Sequence, residues 1–157
     1  MKVTKARVSA GLLAFSVAGG IAWKADAGRE LVKFPESYTD GVHYTTVKRG
    51  NIREEIFTTR LAVEAVTNGQ SMPNGTVITM GRIIGTENCS DTSSWKKRAG
   101  WGAEYPPDLR NGEWEFQAFN ADGTVNEKEN VTRCFSCHKS QSAQDFVFTL
   151  GQMKTAK

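Results

Sequence analysis

Close to its carboxyl end the chain carries Cys134-Phe135-Ser136-Cys137-His138, and only 19 residues follow. Two thiols separated by two residues can reach the two vinyl groups of one porphyrin as thioethers. A histidine directly after them is then held beneath the iron, which is why C-x-x-C-H is the attachment motif of c-type haem. A chain built this way must fold around a large flat group anchored in its last fifth. Three other readings of the pair are weaker. A redox-active C-x-x-C opens a helix after an early strand, whereas this one lies late. A zinc site needs about four ligands, and the other residues of suitable type are Cys89 and His43. A structural disulfide accounts for both cysteines and leaves His138 unexplained. We therefore expect one covalent haem c, with Cys134, Cys137 and His138 binding the cofactor and His138 as the metal ligand.

Haem is attached to such motifs outside the cytoplasmic membrane in bacteria, so the amino terminus bears on the reading. Lys2, Lys5 and Arg7 precede a charge-free run from Val8 to Trp23, followed by Lys24 and Ala25-Asp26-Ala27. This is the pattern of a cleaved export signal over residues 1–27, and the run is short of the roughly 20 residues of a membrane anchor. A periplasmic domain of residues 28–157 is expected, long enough for one modest core. The formal net charge of +3 belongs mostly to the leader, and no Lys/Arg run is interleaved with aromatics. Nucleic acid is excluded as a partner on that ground.

Strand signals dominate the rest. Gly41 to Val47 alternates, with Val42, Tyr44 and Thr46 expected on one face and His43, Thr45 and Val47 on the other. Gly50-Asn51 marks a turn before a strand from Ile52 to Arg60. Leu61 to Val66 is a helical candidate, Thr76 to Met80 a β-branched strand, and Gly112 to Phe119 the cleanest alternation. Helix is expected around the haem motif from Thr132, and another turn or two between Ser142 and Leu150. The fold class is α+β and mainly β: an antiparallel sheet with a few short helices. Small electron-transfer cytochromes carry the motif early, with a methionine well downstream, and here Met153 is the one methionine after it. Four-helix cytochromes carry it late but lack strands.

Phe34-Pro35-Glu36-Ser37-Tyr38, Gly75-Thr76-Val77-Ile78-Thr79, and the haem motif followed by Asp145-Phe146-Val147-Phe148-Thr149 together resemble the cytochrome P-460 family, which includes the cytochromes c′-beta. The resemblance implies a periplasmic, mostly β protein with one five-coordinate haem c, of a kind commonly found as a homodimer. It also implies an open or weakly occupied distal position for a small-molecule ligand or substrate, and a periplasmic redox partner. Two chemistries occur in the family: hydroxylamine oxidation on a haem cross-linked to a lysine, and binding of nitric oxide or carbon monoxide without the cross-link. The family lysine follows the Gly-Thr-Val strand. This sequence offers Met80 there, with no lysine until Lys96 and Lys97.

Met80 is a candidate cofactor neighbour or iron ligand, or simply a core residue on a strand face. Glu104 and Asp108 are candidates for proton transfer in catalysis, or solvated loop residues. His43 is a possible distal ligand if not on an outward face. Trp95, Trp101 and Trp114 could wall the haem pocket. A six-coordinate electron-transfer cytochrome, its sixth ligand drawn from Met80, Met153 or His43, is the alternative function. Residues 81–95, with the unpaired Cys89, fit the family pattern badly. Suitable codons read one nucleotide out of phase spell a turn and an apolar strand. Compensating frameshifts would explain this, and would leave Cys89 without a function and the sheet locally damaged.

Overall fold

Alternating residues build a single five-stranded sheet whose strands are neighbours in chain order and antiparallel throughout. The strands are β1 (Val42–Arg49), β2 (Ile52–Thr58), β3 (Val77–Ile84), β4 (Cys89–Lys97) and β5 (Trp114–Asn120). Among the described residues, helices α1 (Arg60–Thr67), α2 (Thr132–His138) and α3 (Leu150–Lys154) and three short 3-10 turns complete a mainly β α+β fold, as expected. The computed structural model describes residues 32–86 and 89–156. The expected leader over residues 1–27 and its expected cleavage point lie outside them. No helix among the described residues is long and apolar enough to cross a membrane.

Register divides one face of the sheet into three parallel rows. Thr58, Ile78, Trp95 and Phe116 form the first, Ile56, Met80, Ser93 and Ala118 the second, and Glu54, Arg82, Asp91 and Asn120 the third. Side chains two residues apart on a strand share a face, so the surface grades from apolar to charged along the strands. The helices cover the apolar end. Ala62, Val63 and Val66 of α1, Phe135 of α2 and Met153 of α3 bury against Ile78, Trp95 and Phe116. The opposite face is covered by the lead-in segment, with Phe34 at 5.3 Å from Phe119 and Tyr38 at 5.4 Å from Phe57, centroid to centroid.

Three expectations require correction. Tyr44 and Thr46 do not share a face, because β1 bulges between His43 and Thr45. A bulge sets two residues against one, so Thr46 rejoins His43, and the two side chains meet at 3.0 Å. Tyr44 turns into the core, where its hydroxyl lies 2.7 Å from that of Thr149. The second strand stops at Thr58 rather than Arg60, because Thr59 caps α1 by accepting the Ala62 amide. Finally, the described residues of the 81–95 segment lie within the sheet, with one register irregularity between Arg82 and Ile83. That segment completes β3 and supplies most of β4, which is paired residue for residue with both β3 and β5 from Asp91 to Lys96.

Strand β4 is unusually polar for an interior strand, and two of its polar side chains pair with β3. The hydroxyls of Thr79 and Ser94, both buried, meet at 3.1 Å, and Asp91 takes a forked ion pair from Arg82. Leaving one buried hydroxyl unpartnered costs about 1–3 kcal/mol, whereas replacing both by apolar groups of like shape is nearly neutral. Thr79→Val or Ser94→Ala alone is therefore expected to lower stability by about 1–3 kcal/mol, and the double variant by less than the sum. Urea denaturation midpoints of the four proteins test this.

Candidate cofactor site

Helix α2 brings the motif residues onto one face of little more than a turn. Cys134, Cys137 and His138 stand at positions i, i+3 and i+4, the spacing at which helical side chains are neighbours. Phe135 points the other way, into the core, with its ring 4.9 Å from Phe116 and 5.0 Å from Tyr105. The buried Asn111 amide fastens the helix by donating to the Phe135 carbonyl at 2.9 Å. Both motif cysteines are free thiols, Cys134 half-buried and Cys137 exposed. Burial pushes the Cys134 thiol above its ordinary pKa.

The His138 ring is fixed in tautomer as well as position. Its Nδ1 lies 2.7 Å from the Phe146 carbonyl oxygen. A carbonyl can only accept, so Nδ1 carries the proton and Nε2 keeps its lone pair for a metal. Burial lowers the pKa of the ring, with the carbonyl acting in the other direction. The neutral form, the one that ligates, is favoured. The rings of Phe116, Phe148 and Trp95 surround it at 4.8, 5.2 and 5.4 Å.

An unusual stretch of backbone aims that carbonyl. Asp145 and Phe146 are consecutive left-handed residues, with φ of 50° and 61°, and non-glycine residues in this region cost roughly 1–2 kcal/mol each. The carboxylate of Asp145 offsets the cost. It takes a 2.6 Å ion pair from Lys97 Nζ and a 3.3 Å hydrogen bond from Trp114 Nε1. The ends of β4 and β5 thereby hold the loop that holds the histidine.

Beside the motif lies a cleft of about 390 Å³, within the roughly 300–1,000 Å³ usual for ligand and cofactor sites. Cys134, Cys137 and His138 line it, together with Met80, Ser93 and Ala118 of the sheet's middle row. Glu54, Arg82 and Asp91 of the charged row, joined by Glu129 and Arg133, form its polar part. The partnership with Asp91 raises the pKa of Arg82, so its charge is permanent.

A family model described as Cytochrome P460 matches residues 34–149, spanning the sheet, the cleft and the Asp145–Thr149 loop. The chain belongs to the cytochrome P460 family. No curated protein matches the chain significantly. Membership implies haem, and the residues present fit one: two free thiols, a histidine with its Nε2 lone pair available, and a cleft touching all three. Trp95 Nε1, buried near His138, also has no protein partner among the described residues. Cys134, Cys137 and His138 would hold the group, with Arg82 and Arg133 suited to its carboxylates. When bound, haem supplies an iron able to bind or exchange electrons with small molecules. Among the described residues no three of His, Cys, Asp and Glu gather to bind a bare metal ion.

The other sequence candidates divide clearly. Met80 lines the cleft. Met153 is fully buried in the core, and His43 is exposed, bonded to Thr46 and packed on Phe57 at 5.0 Å. Glu104 and Asp108 are exposed and do not line the cleft; its acidic groups are Glu54, Asp91 and Glu129. Trp95 touches His138, whereas Trp114 is core and Trp101 is buried under Arg98, 5.6 Å away. Cys89 Sγ donates to the Asp91 carbonyl, 3.0 Å away.

Sequence reasoning did not assign roles to Asp145 and Phe146 or to the Arg82–Asp91 pair. An aspartate seven residues after the motif histidine was the available signal. Asp145→Ala removes the partner of half-buried Lys97 and the anchor of the left-handed loop, with an expected loss of about 1–3 kcal/mol. Asp145→Asn keeps an acceptor for Trp114 and should lose less. Thermal or chemical unfolding of the two variants checks the order.

Proposed function

We propose that the chain is an exported cytochrome with one haem c, attached through Cys134 and Cys137 and ligated by His138, whose open distal side binds small nitrogen oxides. The observation that carries this reading is the composition of the cleft. Facing the motif helix is a strand row of Met80, Ser93 and Ala118, which holds no nitrogen ligand and no lysine. Among the described residues no lysine lines the cleft at all. Lys97 is engaged by Asp145, and Lys96 alternates onto the other face of β4. This supports gas binding, with nitric oxide as the natural candidate, over oxidation of hydroxylamine on a lysine-linked haem. The proximal arrangement agrees. A backbone carbonyl is a weaker acceptor than a carboxylate and leaves His138 a neutral imidazole.

Met80 favours a second reading. Its thioether lines the same cleft as His138, and ligation by it would make a six-coordinate electron carrier. Optical spectra of the reduced holoprotein with and without carbon monoxide separate the two. A shift on adding the gas is expected. An unchanged low-spin spectrum that becomes gas-sensitive only in Met80→Ala would establish electron transfer instead. An unusually red-shifted ferrous Soret band would revive the oxidase.

A further inference from the structure

Glu115 is a buried carboxylate with no part in the cleft. It lies on β5, 4% exposed, and accepts a hydrogen bond from the Tyr105 hydroxyl and a 3.1 Å bond from the Phe116 amide. Burial raises its pKa above the ordinary carboxylate value despite both hydrogen bonds, which makes it a better proton acceptor than a surface glutamate. The three tyrosines of the chain differ here. Tyr44 meets the neutral hydroxyl of Thr149, and Tyr38 sits by Cys89 and Thr92. Tyr105 donates to a carboxylate.

Tyr105 is also joined to the haem ligand by an unbroken series of rings. Its centroid is 5.0 Å from Phe135, Phe135 is 4.9 Å from Phe116, and Phe116 is 4.8 Å from His138. The path stays inside the packed core, since Phe116 and Phe135 are both buried. Close-packed rings shorten the gaps an electron must cross, and a phenol loses an electron readily only if its proton has somewhere to go. Both conditions meet at Tyr105.

We propose that Tyr105 is a redox-active side chain that returns one electron to peroxide-oxidised haem while passing its phenolic proton to Glu115. This rests on the reading of a haem bound at His138. The oxidant is hydrogen peroxide, which takes two electrons from the haem centre and, with two solvent protons, becomes two molecules of water. Tyr105 supplies one electron back. Its O–H bond breaks, a new O–H bond forms on Glu115 Oε2, and a neutral tyrosyl radical and a neutral carboxyl group result. The benefit lies across the haem. Met80 lines the cleft, and a thioether beside a stranded oxidant is converted to the sulfoxide. Draining one of the two oxidising equivalents through Tyr105 leaves the haem centre one electron above its resting state, short of the two electrons that sulfoxide formation takes from Met80.

The test treats the ferric holoprotein, its haem content first checked by its optical spectrum, with hydrogen peroxide. Freeze-quench electron paramagnetic resonance follows the radical, and peptide mass spectrometry follows Met80. The native protein should give a tyrosyl signal. Tyr105→Phe, which keeps the ring packed on Phe135, should lose that signal and accumulate Met80 sulfoxide faster. Glu115→Gln should weaken the signal with the tyrosine in place, and Tyr44→Phe should leave it unchanged. A signal that persists unaltered in Tyr105→Phe, or one with the signature of Trp95, overturns the proposal while leaving the haem reading intact. A protein with no haem spectrum overturns both.

Discussion

The hydrogen bond from His138 Nδ1 to the Phe146 carbonyl is the contact through which the fold meets the cofactor chemistry. It selects the tautomer and sets the ring plane, leaving Nε2 with a lone pair. Its geometry depends on two left-handed residues that a polypeptide does not adopt without compensation. The compensation comes from Asp145, bound to Lys97 at the end of β4 and to Trp114 at the start of β5. These two residues are themselves partners in the sheet register. The orientation of one imidazole is thus traceable to the pairing of two strands.

The same sheet solves a second problem, which is to bury a core and border a cleft with one face. Its rows grade from Ile78, Trp95 and Phe116, through Met80, Ser93 and Ala118, to Arg82 and Asp91. Helices cover the apolar end, and the cleft occupies the remainder. Small Ser93 and Ala118 keep that part of the face shallow, where larger side chains would fill the space. The charged row is kept at the margin by the Arg82–Asp91 fork, so its desolvation is partial and compensated.

Much of this was legible in the chain itself. The motif pointed to a haem site because thioether attachment and iron ligation call for those residues at that spacing, and the fold sets all three on the wall of one cleft. Strand β5 declared itself through Trp114, Phe116 and Ala118, where burial and period coincide. Strand β4 did not, since Cys89-Ser90-Asp91-Thr92-Ser93-Ser94 has neither apolar alternation nor strong strand preference. Its pairing is imposed by β3 and β5 on either side, a tertiary override of weak local preference. The bulge at Tyr44 was hidden for a related reason: one extra residue inverts all later alternation, and the partner Tyr44 then meets, Thr149, is distant in the chain. Glu104 and Asp108 were judged by distance along the chain. The cleft takes its carboxylates instead from strand register, through Glu54 and Asp91, and from the approach to α2, through Glu129.

The central claim is that Cys134, Cys137 and His138 together hold one porphyrin in the cleft beside β3, β4 and β5. Intact-mass measurement of the mature protein, produced in a host that attaches haem to exported chains, tests it most directly. The account predicts the polypeptide mass plus a single haem, retained after denaturation and acid extraction. A colourless polypeptide from the same host, with both motif thiols still open to alkylation, would contradict it.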